Sequence, residues 1–116
     1  MAAVTDIRDA LLGVIDHVYH FRAPSERTDH YAVWGETSVG AAMCADDEAQ
    51  ELRVAGELYY YTADEYDETV DKICIALTEA GASWRIANVG YDATLRQIVY
   101  GITWEVPCGA GEIYCG

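Results

Sequence analysis

The stretch ELRVAGELYYYTADEYDETVDKICIALTEAG, Glu51 to Gly81, decides the fold. From Leu52 to Tyr61 the chain alternates, with Leu52, Val54, Gly56, Leu58 and Tyr60 on one side and Arg53, Ala55, Glu57, Tyr59 and Tyr61 on the other. Period-two alternation with one aliphatic side describes a strand that lays one face on a core. Its second face carries two tyrosines and two opposite charges, so it is not simply polar. Thr62-Ala63-Asp64-Glu65 has the form of a capping box and predicts a helix opening at Thr62. Asp64, Glu65, Asp67 and Glu68 suit the positive end of such a helix. Tyr66, Val70, Ile73, Cys74 and Leu77 follow at three- and four-residue intervals and predict its buried stripe. Gly81 is placed to take the left-handed conformation that ends it.

Working outward, Thr5 to about Tyr19 reads as the first helix, with Thr5 as cap and Ile7, Leu11, Val14, Ile15 and Val18 as its apolar stripe. Gly13 inside that helix costs about 1 kcal/mol against alanine and hints at close packing there. Phe21 to Asp29 reads as a loop around Pro24. His30 to Gly35 is a short strand, and Glu36 to Gln50 a small-residue loop tipped by Asp46-Asp47-Glu48. Ala82 to Val89 forms a further strand, Gly90 to Thr94 a turn, and Leu95 to Val106 the longest strand, ended by Pro107. The order helix, strand, strand, helix, strand, strand gives an α+β fold: about four strands, mainly antiparallel, with two helices packed on one face. The 116 residues form one domain, with 107–116 a tail containing glycine and cysteine.

The composition excludes several function classes. Twenty acids against seven bases leave a net charge of −13, and Lys72 is the single lysine. Binding to nucleic-acid phosphates draws on clustered bases, so it is not expected. Solubility or a salt-adapted host accounts for the acidity as readily as a surface that repels DNA. No apolar run is long enough to cross a membrane, and MAAVTDIRD lacks the form of a signal peptide, so synthesis in the cytoplasm is expected. Cys44, Cys74, Cys108 and Cys115 are then expected as thiols. Cys74 falls on the helix stripe, and the spacing of Cys108 and Cys115 is not that of a zinc ribbon. His17 and His20 lie three apart near the helix end, where the dipole alone favours histidine and a metal pair is the lesser reading. No nucleophile elbow, Walker lysine or dinucleotide fingerprint occurs. No catalytic set, cofactor or metal is expected.

Two helices cover only one side of a four-stranded sheet. The other side carries Tyr59, Tyr61, Leu95, Val99 and, on this reading, Trp34, which asks for another subunit. The loop 36–50 and the tail folding back over it are the alternative.

Three stretches carry a resemblance. DIRDALLGVIDHV with VYHFRAPSERTDHYAVW, ADDEAQELRVAGELYYYTADEYDETVDKICIALTEAGASW, and YDATLRQIVYGITWEV are similar in order and side-chain type to the tail terminator (tail completion, tail-to-head joining) proteins of long-tailed bacteriophages and prophages. Leu58-Tyr59-Tyr60-Tyr61-Thr62 before an acidic helix start is the most telling piece. The resemblance covers roughly residues 5–106; the tail from Pro107 has no counterpart, and the paucity of lysine departs from the pattern. It implies a non-enzymatic virion protein of the tail and neck that closes as a ring, a hexamer, on the finished tail tube. The partners implied are further copies of the chain, the tube protein and the head-completion or stopper protein, with DNA passing through the lumen and no membrane. Arg53, Glu57, Tyr59, Tyr61 and Arg96 on the open face are then expected at subunit contacts. Another neck or tail subunit is the nearest alternative. From other classes, a cytosolic enzyme or metal-binding module using His17, His20 and the cysteines would bind metal, and a nucleic-acid mimic would spread its carboxylates along one face.

Overall fold

A computed structural model describes residues 4–25, 29–41 and 51–109. The elements are α1 (Val4–Leu12), β1 (Val18–His20), β2 (His30–Ala41), β3 (Glu51–Thr62), α2 (Thr69–Glu79), β4 (Ser83–Asp92) and β5 (Gln97–Gly109). They form an α+β fold with one five-stranded sheet in the order β1-β2-β3-β5-β4. Strand β1 runs parallel to β2, and every other pairing is antiparallel. The sheet is therefore mixed and has one strand more than the periodicity predicts.

The extra strand comes from the segment read as the end of the first helix. Helix α1 stops at Leu12, and Gly13 closes it with a bond to the Asp9 carbonyl. Thr5 lies within the helix rather than at its cap. A Cβ at Gly13 would meet nothing nearer than 3.4 Å, so no close packing selects glycine there. Ile15 still reaches the core and Val18 packs against it. Apolar residues three and four apart serve a helix stripe, yet here Val18 lies on a strand paired with Ala32. Periodicity alone does not separate the two.

Strand β3 spans the predicted alternation, and its pairing partners show which side chains share a face. Trp34 pairs with Leu58 and Ala32 with Tyr60 on one side of β3; Ile102 and Trp104 pair with Leu58 and Gly56 on the other. Together with Val54 and Val106 these form the sheet's half of the core. Ile7 and Leu11 of α1 and Val70, Ile73 and Leu77 of α2 supply the other half, so both helices lie on this face. Trp34 consequently belongs to the helix-bearing face and not to the open one.

Helix α2 begins seven residues after the predicted start. Thr62 remains in β3, and its Oγ1 accepts a bond from the Asp64 N–H. Tyr66 takes a left-handed φ of 57° and is 93 % exposed, so it leaves the stripe. Asp67 instead accepts the Thr69 N–H and satisfies a donor at the helix start. Val70, Ile73, Cys74 and Leu77 are buried as predicted. At the far end the Gly81 N–H binds the Thr78 carbonyl and the Ala82 N–H the Leu77 carbonyl. With Gly81 at φ 86°, this is the Schellman closure expected of that glycine.

Strand β4 runs through Gly90 and Tyr91, and the turn occupies 93–96. Leu95 and Arg96 are therefore turn residues, Arg96 with a φ of 56°. Strand β5 passes through Pro107, opposite Arg53. Because β4 begins at Ser83 opposite Glu105, no described strand lies on the other side of Pro107, an edge position at which proline is tolerated. The acidic tip Asp46–Glu48, Cys44, Cys115 and the Cys108 side chain lie outside the described residues.

Candidate functional site

The face of the sheet away from the helices is centred on β3. Register places Arg53, Ala55, Glu57, Tyr59 and Tyr61 there, beside Tyr31 and Val33 of β2 and Val99, Thr103 and Glu105 of β5. Four of the five residues expected at subunit contacts are thus brought together, while Arg96 sits in the β4–β5 turn, off the face. The strand pairing puts it there, since β5 begins only at Gln97.

Each of the four is already engaged within the chain. Arg53 Nε donates to Glu105 Oε1 at 2.5 Å across to β5. Both side chains remain over 40 % exposed, which limits this pair to about 0–1 kcal/mol. The Tyr59 hydroxyl donates to Glu57 Oε2 at 2.8 Å. That bond, then burial and the Glu57 charge, push the Tyr59 phenol up. Tyr61 stacks on Tyr31 at 4.5 Å and 9°, and Tyr19 meets Tyr31 edge-on at 6.2 Å. Tyr31 is 1 % exposed despite lying on this face, because its tyrosine neighbours cover it. The open face is consequently half-buried by its own side chains and presents hydroxyls, ring edges and paired charges.

A second cluster lies at the end of the sheet where β3 leads into α2. Asp67 Oδ2 accepts the hydroxyls of Tyr60 and Thr62, both at 2.7 Å. Burial alone would raise the Asp67 carboxyl, but these hydroxyls and the Thr69 groups outweigh it and hold it down to about 2. Burial, reinforced by Asp67, pushes the Tyr60 phenol up to about 12. His30 Nε2 lies 2.8 Å from Asp64 Oδ2 and 3.8 Å from Asp67 Oδ2. The three side chains could hold a cation, since their ligand atoms fall within 4.8 Å of one another. A cavity of about 340 Å³ adjoins them, lined by Asp16, His17, Asp29 and His30 among others. No local pattern marks this cluster: His30 and Asp64 are far apart in the chain, and the pairing of His30 with Thr62 brings them together.

The histidines singled out by spacing are not on a helix. His17 lies between α1 and β1, where its carbonyl accepts the Ala32 N–H. His20 is on β1, its ring stacked between Phe21 at 4.2 Å and Trp34 at 4.1 Å. Its Nε2 is 2.6 Å from Glu36 Oε1. Burial raises the Cys74 thiol, in keeping with its place on the α2 stripe.

No family model matches the chain, and no curated protein does. Among solved structures it is similar to the PVC sheath/tube terminator, in the extended state, of an extracellular contractile injection system determined by cryo-EM. The identity is 11 % and the TM-score 0.45, over 97 % of this chain and 60 % of that one. This chain therefore spans about three fifths of that neighbour's length.

Proposed function

We propose that the chain is a structural tail protein that caps a completed tail tube as a ring, a hexamer, ends tube polymerisation and forms the joint to the head. The reading is carried by the sheet face that no other described element covers, on a chain whose residues 5–106 resemble the tail terminators. Helices on one face only leave the other available for neighbours. In this reading the tube protein and the head-completion or stopper protein lie on either side of the ring, DNA passes through its lumen, and the chain is not an enzyme. A net charge of −13 suits a conduit to which DNA does not adhere. Arg53, Glu57, Tyr59 and Tyr61 contribute to contacts between subunits.

Light scattering after gel filtration, with negative-stain images, tests this reading. A closed ring with a central hole is expected for the wild type, alone or on isolated tube ends. Replacing Tyr59 and Tyr61 together by Ser should abolish rings while the far-UV CD spectrum stays unchanged. Wild-type chain that forms no ring even on tube ends, or a phage lacking it whose tails keep their normal length, overturns the reading. Unchanged assembly of the double variant removes the open face from the contact.

A further inference from the structure

Strand β4 is a sheet edge that nothing described covers. Among the described strands it neighbours β5 alone, and each residue from Ser83 to Tyr91 is exposed. Trp84, Ile86, Val89 and Tyr91 pair with Trp104, Ile102, Tyr100 and Ile98, so they share the helix-bearing face. They are 38, 41, 57 and 65 % exposed. Helix α2 reaches only the start of this strip, where Trp84 Nε1 donates to Thr78 Oγ1 at 2.8 Å. Folded chains blunt such edges with charge, proline or short length. This strand has ten residues, and its only charged ones are Arg85 and Asp92.

The opposite margin has a matching gap. Among the described residues, strand β1 pairs only with Ala32, Val33 and Trp34. Among the described residues no strand pairs with the outer edge of β2 from Gly35 to Ala41. Val39, which pairs with Val54 and so points to the helix-bearing face, is 47 % exposed. Phe21, beside Gly35 at the end of β1, is 63 % exposed. The successive antiparallel pairings of β2 with β3, β3 with β5 and β5 with β4 make β2 and β4 run in opposite directions.

From these edges we infer that β4 of one copy pairs antiparallel with Gly35–Ala41 of β2 in a second copy, head to tail. Val39 on one edge and Trp84, Ile86, Val89 and Tyr91 on the other lie on the same helix-bearing face, so one continued sheet buries them together. Strand β1 blocks the way beyond Gly35, which brings the Tyr91 end of the incoming strand toward Phe21. Charge also favours a like copy at this seam. Arg85 and Asp92 cancel on one edge and Glu36 is the sole charge on the other, so chains of net charge −13 meet along nearly neutral strips. A head-to-tail contact between unlike patches generates a ring when its rotation closes. The inference rests on the ring reading for that closure and names the seam. Open faces of neighbours then lie on one side of the continued sheet, so contacts there are compatible with it.

The test is the double substitution Ile86→Lys, Val89→Lys, at two side chains exposed in the single chain, compared with wild type by light scattering. The variant is expected to fall to the mass of one chain, 12.8 kDa, with an unchanged far-UV CD spectrum. A variant that still forms rings overturns the inference and leaves the ring reading standing. A wild type that never associates, even on tube ends, overturns both. Should the variant not fold, hydrogen exchange on the wild-type assembly decides. Slowed exchange of β4 and Gly35–Ala41 amides relative to the dilute chain supports the seam, and exchange unchanged at both edges overturns it.

Discussion

The Tyr60 hydroxyl donates to Asp67 Oδ2 at 2.7 Å, and through that bond the end of β3 holds the start of α2. Asp67 also takes the Thr62 hydroxyl and the Thr69 N–H, so a single carboxylate joins strand, loop and helix. Replacing Asp67 by Ala leaves those donors without their acceptor and is expected to cost about 2–3 kcal/mol. Urea titration should show a lower midpoint with an unchanged slope.

The same pair makes stability depend on pH at both extremes. The Asp67 carboxyl lies below its ordinary 3.8, near about 2, so its contribution is present above pH 3.8 and is lost as pH falls towards 2. Its size is on the order of 2 kcal/mol. The Tyr60 phenol lies above its ordinary 10, near about 12, so its contribution is present below pH 10 and is lost as pH rises towards 12. Asp67→Asn should flatten the acid limb of the stability profile, and Tyr60→Phe the alkaline limb.

Gly56 pairs directly with Trp104, whose indole lies across it. A Cβ at this glycine would collide with the indole and with the Gly35 carbonyl oxygen. The indole is 2 % exposed and cannot swing into solvent without leaving the core. Gly56→Ala is therefore expected to cost about 1–3 kcal/mol. Tryptophan fluorescence should report a displaced indole, and a variant as stable as wild type would contradict this packing.

Arg96 holds a φ of 56° in the β4–β5 turn. A side chain in the left-handed region costs about 1–2 kcal/mol, which glycine avoids at the expense of a more flexible unfolded chain. Arg96→Gly is expected to be neutral or to stabilise by up to about 1 kcal/mol, read from thermal unfolding. Because Arg96 lies off the open face, ring formation should be unaffected.

Removing the Arg53–Glu105 pair is expected to change stability little. Both side chains are largely solvated, so Arg53→Ala should cost within about 1 kcal/mol. In the proposed ring the substitution should weaken assembly by more than it weakens the fold, which parallel measurements of mass and unfolding would separate.

The order and type of the long elements were legible locally. Alternation from Leu52 to Tyr61 described β3 and both of its faces, since side-chain period two is a property of any strand. Val70, Ile73, Cys74 and Leu77 described the α2 stripe, and Gly81 its end. Boundaries were less legible. Thr62-Ala63-Asp64-Glu65 has the form of a capping box, but Thr62 is taken by β3 and by Asp67. Val18 fits a helix stripe and a strand equally well, and only the backbone groups of Ala32 to Trp34 decide for the strand.

What the sequence by itself determined was the α+β class, the two-sided central strand and the one-sided helices, because those follow from periodicity within a few residues. Tertiary structure alone decided which neighbours share a face. It moved Trp34 to the helix side, removed Arg96 from the open face, joined His30 to Asp64 and Asp67, and left Trp84 to Tyr91 along an edge that no described strand covers. Each of these depends on strand order and register, which arise from pairings between residues far apart in the chain. Local pattern constrains the partners in those pairings without choosing among them.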